Sequence, residues 1–145
     1  MAGILVINGP NLDILGKREE SVYGKLTIDE INAKLEEKAG KAGKKIEFYQ
    51  SNHEGDMVDR INGTDAEGIL INPAAYTHTS VAIRDALSAR DIPVIEVHLS
   101  NIYAREEFRH KSLMAPVVTG QISGLGGRGY FLALEALMEL IDERK

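Results

Sequence analysis

The sequence contains no cysteine. That excludes a disulfide framework, a thiolate nucleophile and a thiolate metal site. No apolar run approaches the ~20 residues that a helix needs to cross a bilayer. The first residues, Met1-Ala2-Gly3-Ile4, lack the basic and long apolar regions of a secretion signal, so a cytoplasmic address is expected. Positive charge is not in surplus: 17 Lys and Arg stand against 22 Asp and Glu, a net of −5. A nucleic-acid or anionic-membrane surface is therefore not expected. A small anionic ligand stays open, because a few local arginines decide that.

What is present suits one domain over residues 1–145. Apolar segments alternate in type. Gly3 to Asn8, Ile46 to Gln50, Gly68 to Asn72, Pro93 to His98 and Val117 to Ile122 read as five short buried strands. Between them lie helical patterns. Thr27-x-x-Glu30 is a capping box, followed by a stripe of Ile28, Ile31, Leu35, Ala39 and Ala42. Met57 to Ile61 predicts a short helix. Ser80 to Ala89 predicts another, with Val81, Ile83, Ala86 and Leu87 inward. Glu106 to Lys111 predicts a brief one. The last, from about Tyr130 to Asp142, buries Tyr130, Ala133, Leu134, Leu137 and Ile141. Gly9 to Gly24 is expected to be a long loop, and such loops often act as lids. Strands alternating with helices imply a parallel sheet covered on both faces. The expected architecture is a flavodoxin-like three-layer sandwich with strand order 2-1-3-4-5.

In this architecture ligands sit beyond the carboxyl ends of the strands. Those ends carry Asn8 and Asn11, then Ser51, Asn52, His53 and Glu54, then Asn72, Tyr76 and His78, then Glu96, His98, Ser100 and Asn101, and finally Gln121. Any one of them could be ordinary loop polarity. Five strand ends converging on amides, histidines and carboxylates point to a site. Glu96 and His98 share one face of strand four, inside an apolar run where an isolated charge is costly. They are either a satisfied structural pair or an imidazole oriented for acid–base work. In the first loop, Arg18 and Tyr23 are either solvated rim residues or a guanidinium beside a phenol, which favours the phenolate. The run Arg105-Glu106-Glu107-Phe108-Arg109-His110 is a solvated face or a source of arginines for a carboxylate or hydroxyls. Gly124-Leu125-Gly126-Gly127-Arg128-Gly129 matches a dinucleotide-binding spacing but comes after the last strand. Tight helix–sheet packing explains it better.

Taken in order, these blocks resemble the type II 3-dehydroquinate dehydratases. The resemblance rests on Asn8-Gly9-Pro10-Asn11-Leu12, Gly16-x-Arg18-Glu19-x-x-x-Tyr23-Gly24, Ser51-Asn52-His53-Glu54-Gly55, and Asn72 to Ser80. It continues through Arg84-Asp85-Ala86, Glu96 to Asn101, Arg105 to Ser112, and Gly120-Gln121-Ile122-x-Gly124. It implies trans elimination of water from 3-dehydroquinate through an enolate, without a cofactor or metal, in a dodecamer built from trimers. By that resemblance Tyr23 is the base, Arg18 its activator, and His98 the acid oriented by Glu96. Asn11 is similar to the group that positions water near the enolate oxygen. Asn72 with Leu99 and Ser100 resembles a carboxylate cradle. His78, Arg109 and Asp85 resemble hydroxyl contacts, Asp85 as a group that a neighbouring subunit can supply. Asp13, Glu20 and Tyr103 depart from the family pattern, where asparagine, proline and histidine are more usual. Asp13, if close to Tyr23, would oppose the phenolate, and Glu20 suggests a more mobile lid. The same reaction would serve aromatic biosynthesis or quinate breakdown.

Other occupants of the fold fit less well. A phosphorelay receiver needs acids where Asn8 and Asn72 stand. A flavin carrier needs a Ser/Thr-rich phosphate loop where Gly9-Pro10-Asn11-Leu12-Asp13 stands. An inactive relative that binds a polyhydroxy acid is the alternative that sequence leaves open.

Overall fold

The computed structural model describes residues 3–17 and 19–145. Five parallel strands form one sheet in the order β2-β1-β3-β4-β5, as the alternation implies. They are β1 (Ile4–Asn8), β2 (Ile46–Gln50), β3 (Gly68–Asn72), β4 (Val94–His98) and β5 (Gly120–Ser123). The three central strands are buried along their whole length, which is why they read as continuous apolar runs rather than alternating ones. Alternate side chains go to opposite layers. Ile4, Val6, Leu70, Ile95 and Val97 pack under Ile31, Leu35, Tyr130, Leu134 and Leu137 on one face. Leu5, Ile7, Ile69, Ile71 and Val94 pack under Met57, Ile61, Ile83 and Leu87 on the other.

The helices follow from their caps and stripes. α1 is Glu20–Tyr23, α2 Ile28–Lys41, α3 Glu54–Gly63, α4 Val81–Ser88 and α5 Arg128–Glu143. The capping box at α2 forms as its sequence implies: Glu30 N–H donates to Thr27 Oγ1 at 3.2 Å, and Thr27 N–H to Glu30 Oε1 at 3.3 Å. Gly129 lets α5 sit close to the sheet, since a Cβ there would lie 3.2 Å from Val97 Cγ2. The glycine-rich segment therefore serves helix–sheet packing.

Several boundaries differ from the sequence expectation. The segment read as a loop contains a 3-10 turn at Leu12–Ile14 and the single turn of α1. α3 begins three residues earlier than Met57, because Glu54 and Asp56 are acids suited to its first turn. Val117 and Val118 pack on the core from a turn rather than a strand, and β5 starts only at Gly120. The expected helix over Glu106 to Lys111 is a 3-10 turn at Glu107–Arg109. Ala42 caps α2 in solvent instead of lying on its buried stripe, and Val81 is 56% exposed at the start of α4.

Candidate active site

The carboxyl ends of β1, β3 and β4 and the segments after them enclose a cavity of about 130 Å³. Asn11, Tyr23, Asn72, His78, His98 and Arg109 all line it, with Leu99 and Ser100 forming part of the wall. The fold brings them together because β1, β3 and β4 lie side by side in register, Asn8 against Asn72 and Ile71 against Glu96. Two backbone features shape the floor. Asn11 is left-handed at φ 68°, and its N–H is held by Asn52 Oδ1 at 3.0 Å. Gly9 passes so close to Pro73 that a Cβ would sit 2.4 Å from the Pro73 carbonyl oxygen.

Glu96 lies directly behind His98. The carboxylate is fully buried and takes a hydrogen bond from His98 Nε2 at 2.5 Å. Thr77 Oγ1 also donates to it, as do Ser112 Oγ at 2.9 Å and Gln121 Nε2 at 3.1 Å. Burial by itself would raise this carboxyl. The hydrogen bond and charge of His98, with hydrogen bonds from Thr77 and Gln121, outweigh burial and hold it below the ordinary carboxylate value. A buried charge is tolerated because each lone pair finds a donor. With Nε2 on Glu96, Nδ1 is the His98 nitrogen available to the cavity. The His78 ring stacks beside it, with centroids 6.4 Å apart, and is itself anchored by Nδ1 on the Lys111 carbonyl at 2.8 Å. Burial lowers the His78 value below that of an ordinary histidine, the Lys111 hydrogen bond opposes this, and repulsion from His98 and Arg109 adds to it.

Across the cavity, Tyr23 stands at the end of α1. Its phenol oxygen accepts a hydrogen bond from Arg105 Nη1 at 2.8 Å, and the Arg105 guanidinium lies 5.1 Å from the ring centroid. Arg105 is steadied by its own backbone: its carbonyl meets His110 Nε2 at 2.9 Å. Sequence reasoning placed Arg105 in a charged run but missed its contact with Tyr23, which is 82 positions away. Arg18, the cation expected beside Tyr23, lies outside the described residues.

Two further residues lie away from this cavity. Asp85 is exposed on α4 and does not line this chain's cavity. Asp13 faces a cleft between β1, α2 and β2 with Asn32 and Phe48, not the cavity that holds Tyr23. Thr77, Ser112 and Gln121, the donors around Glu96, were not singled out for that role. The signal available was the buried Glu96 itself, which demands such partners. No group of three or more His, Asp or Glu side chains suited to a metal occurs among the described residues.

The chain resembles known proteins along nearly its whole length. It is 59% identical over 137 residues to a 3-dehydroquinate dehydratase of Acaryochloris marina, covering 93% of this chain and 92% of that protein. It is 58% identical over 137 residues to one of Roseiflexus castenholzii, covering 93% and 87%. The crystal structure of a type II dehydroquinase from Butyrivibrio crossotus superposes with a TM-score of 0.91 at 48% identity, over 94% of this chain and 97% of that one. The family described as dehydroquinase class II matches residues 2–138. That match runs from the first strand into the last helix, and the chain belongs to the class II dehydroquinase family.

Proposed function

We propose that this chain, as one catalytic domain, removes water from 3-dehydroquinate to give 3-dehydroshikimate and so serves aromatic amino-acid biosynthesis. The observation that carries the assignment of roles is one cavity lined by Tyr23 on one side and by His98, backed by Glu96, on the other. A base and an acid facing each other across a small cavity suit a trans elimination.

In this reading Tyr23, as phenolate, takes a proton from the carbon beside the ketone. The electron pair moves to the ketone oxygen and forms the enolate. The pair then returns to make a double bond conjugated with the carbonyl, the carbon–oxygen bond breaks, and the hydroxyl leaves as water with a proton from His98. Glu96 orients the imidazole and balances its charge. Arg105 holds the Tyr23 oxygen in place through its hydrogen bond. Arg18 is assigned the activation of Tyr23 from family resemblance alone. Asn11 positions water near the enolate oxygen, where a fixed donor lowers the barrier. Asn72 with the Leu99–Ser100 segment holds the carboxylate, and His78 and Arg109 contact hydroxyls. None of these steps calls for a redox or Schiff-base group.

The finer parts of the reading concern assembly and location. A cytoplasmic dodecamer built from trimers is proposed. Phe108, Tyr103 and Val81 are 64%, 57% and 56% exposed, and in such an assembly neighbouring subunits would cover them. Asp85 on the same exposed side of α4 could then reach a neighbour's cavity. No described helix is long and apolar enough to cross a membrane.

The test is direct. Purified protein incubated with 3-dehydroquinate should produce the ultraviolet absorbance of a conjugated enone, before and after exhaustive chelation. Absence of product, or activity lost on chelation and restored by one metal, overturns the reading.

A further inference from the structure

Behind the cavity lies a buried polar chain of which the mechanism above uses only Asn72. Tyr130, in the first turn of α5, is fully buried, and its hydroxyl lies 2.6 Å from Asn8 Oδ1 and 2.9 Å from Asn72 Nδ2. Asn72 is 3% exposed, yet it is one of the residues that line the cavity. Its Oδ1 accepts the Ala74 N–H at 3.0 Å, where Ala74 is left-handed at φ 53°.

These contacts permit only one arrangement of hydrogens. A backbone N–H can only donate, so the Asn72 atom that faces Ala74 is the carbonyl oxygen. Nδ2 therefore faces Tyr130, and it too can only donate. The Tyr130 oxygen accepts from it, which leaves the phenol proton for Asn8, and Asn8 must present its oxygen. Burial keeps the Tyr130 phenol protonated well above the ordinary tyrosine range, so that donor persists at working pH. One hydrogen of Nδ2 is thus committed inside the protein, and the other is what Asn72 offers to the cavity.

We propose that Tyr130 and Asn8 are positioning residues for substrate: through Asn72 they hold an N–H donor, and exclude a carbonyl acceptor, at the place where the substrate carboxylate binds. This deepens the function proposed above and rests on its assignment of Asn72 to the carboxylate. Without the Tyr130 oxygen, Nδ2 would have a buried hydrogen with no acceptor. The amide would leave its rotamer to find one, and the donor would move off the carboxylate.

The experiment is a double-mutant cycle with Tyr130→Phe and Asn72→Ala. It reads KM and kcat for 3-dehydroquinate, and the Kd of quinate against that of its carboxamide. Each single variant should raise KM and quinate Kd on the order of tenfold, the scale of one hydrogen bond to a charged group. The carboxamide should respond less, kcat should stay within about a factor of three, and Tyr130→Phe should add nothing further in the Asn72→Ala background. Asn8→Ala, which frees the phenol proton without altering Tyr130, should shift KM in the same direction and serves where Tyr130→Phe does not fold. If Asn72→Ala weakens quinate while folded Tyr130→Phe or Asn8→Ala does not, the positioning role is wrong and the carboxylate assignment stands. Additive losses in the cycle, or equal losses for quinate and carboxamide, also overturn it by making Tyr130 merely structural. If Asn72→Ala binds quinate as wild type does, the carboxylate assignment itself fails, and the positioning role fails with it.

Discussion

Glu96→Gln tests the charge of the buried pair while keeping its shape. In the protein the carboxylate receives four donors, His98 and Thr77 on Oε2, Gln121 on Oε1, and Ser112 across both oxygens. A glutamine has one acceptor oxygen and one donor nitrogen. With Gln121 kept as the donor it is in the wild type, the new amide keeps its oxygen on that side and turns its nitrogen toward Thr77 and His98. Thr77 can adapt by rotating its hydroxyl. Neutral His98 can adapt by moving its proton from Nε2 to Nδ1. The imidazolium cannot adapt, because it carries hydrogen on both nitrogens and would face another N–H with no counter-charge. Two unit charges ~4 Å apart attract by about 4 kcal/mol at an effective dielectric constant near 20. Losing between half and all of that removes ~30- to ~1,000-fold of the protonated acid. Turnover at neutral pH should fall by that range, most severely on the alkaline side, with partial recovery as pH is lowered. The assay is enone formation against pH, with quinate binding and circular dichroism as controls for the site and the fold. Turnover within about threefold of wild type across the range would refute the reasoning, since general acid catalysis is worth ~10²–10⁴-fold. A loss of equal size at every pH would show that Glu96 orients His98 without supplying charge.

Other outcomes follow from the same geometry. Tyr23→Phe should lose ~10²–10⁴-fold in turnover while still binding quinate, and near-normal turnover would remove Tyr23 from the reaction. Arg105→Gln should lower turnover more than it weakens quinate; kinetics indistinguishable from wild type would make the 2.8 Å contact with Tyr23 incidental. The depressed His78 value means that the unfolded chain binds more protons between that value and ~6.5, so this stabilisation is complete above ~pH 6.5 and is lost as pH falls through the folded value. Glu96, also depressed, acts in the same sense only below ~pH 4.3. Tm should therefore fall from pH 7 to 5, and less steeply in His78→Gln; an equal slope in both proteins would exclude His78 as the cause. Light scattering of active enzyme should give a mass many times 15.9 kDa, and a fully active monomer would contradict the proposed assembly.

Much of the fold could be read directly. The apolar runs at Ile4–Asn8, Gly68–Asn72 and Val94–His98 are central strands because residues buried on both faces have no polar alternation to hide them. The stripe of Tyr130, Ala133, Leu134, Leu137 and Ile141 packs as its spacing demands. Weak local signals failed first. A single helical turn such as Glu20–Tyr23 has too few residues to show a period, and Val117–Val118 are apolar whether they enter a strand or merely cover one.

The candidate site divides along the same line. Of the polar residues expected at five strand ends, Asn11, Asn72, His78, His98 and Ser100 line the cavity, while those after β2 and on β5 do not; that Glu96 shares one face of β4 with His98 follows from period. Glu96 in an apolar strand also announced that partners must exist. Which partners they are was decided by packing: Thr77 follows β3, Ser112 follows β4 and Gln121 lies on β5. Arg105 reaches Tyr23 only because the turn after β4 folds back over the loop after β1. Tyr130 looked like one more core side chain until its hydroxyl was found between Asn8 and Asn72. Periodicity records whether a residue is buried, since burial repeats along one element. It carries no record of which distant element supplies the facing hydrogen-bond donor, because that is fixed only when strand order and layer packing close the chain on itself.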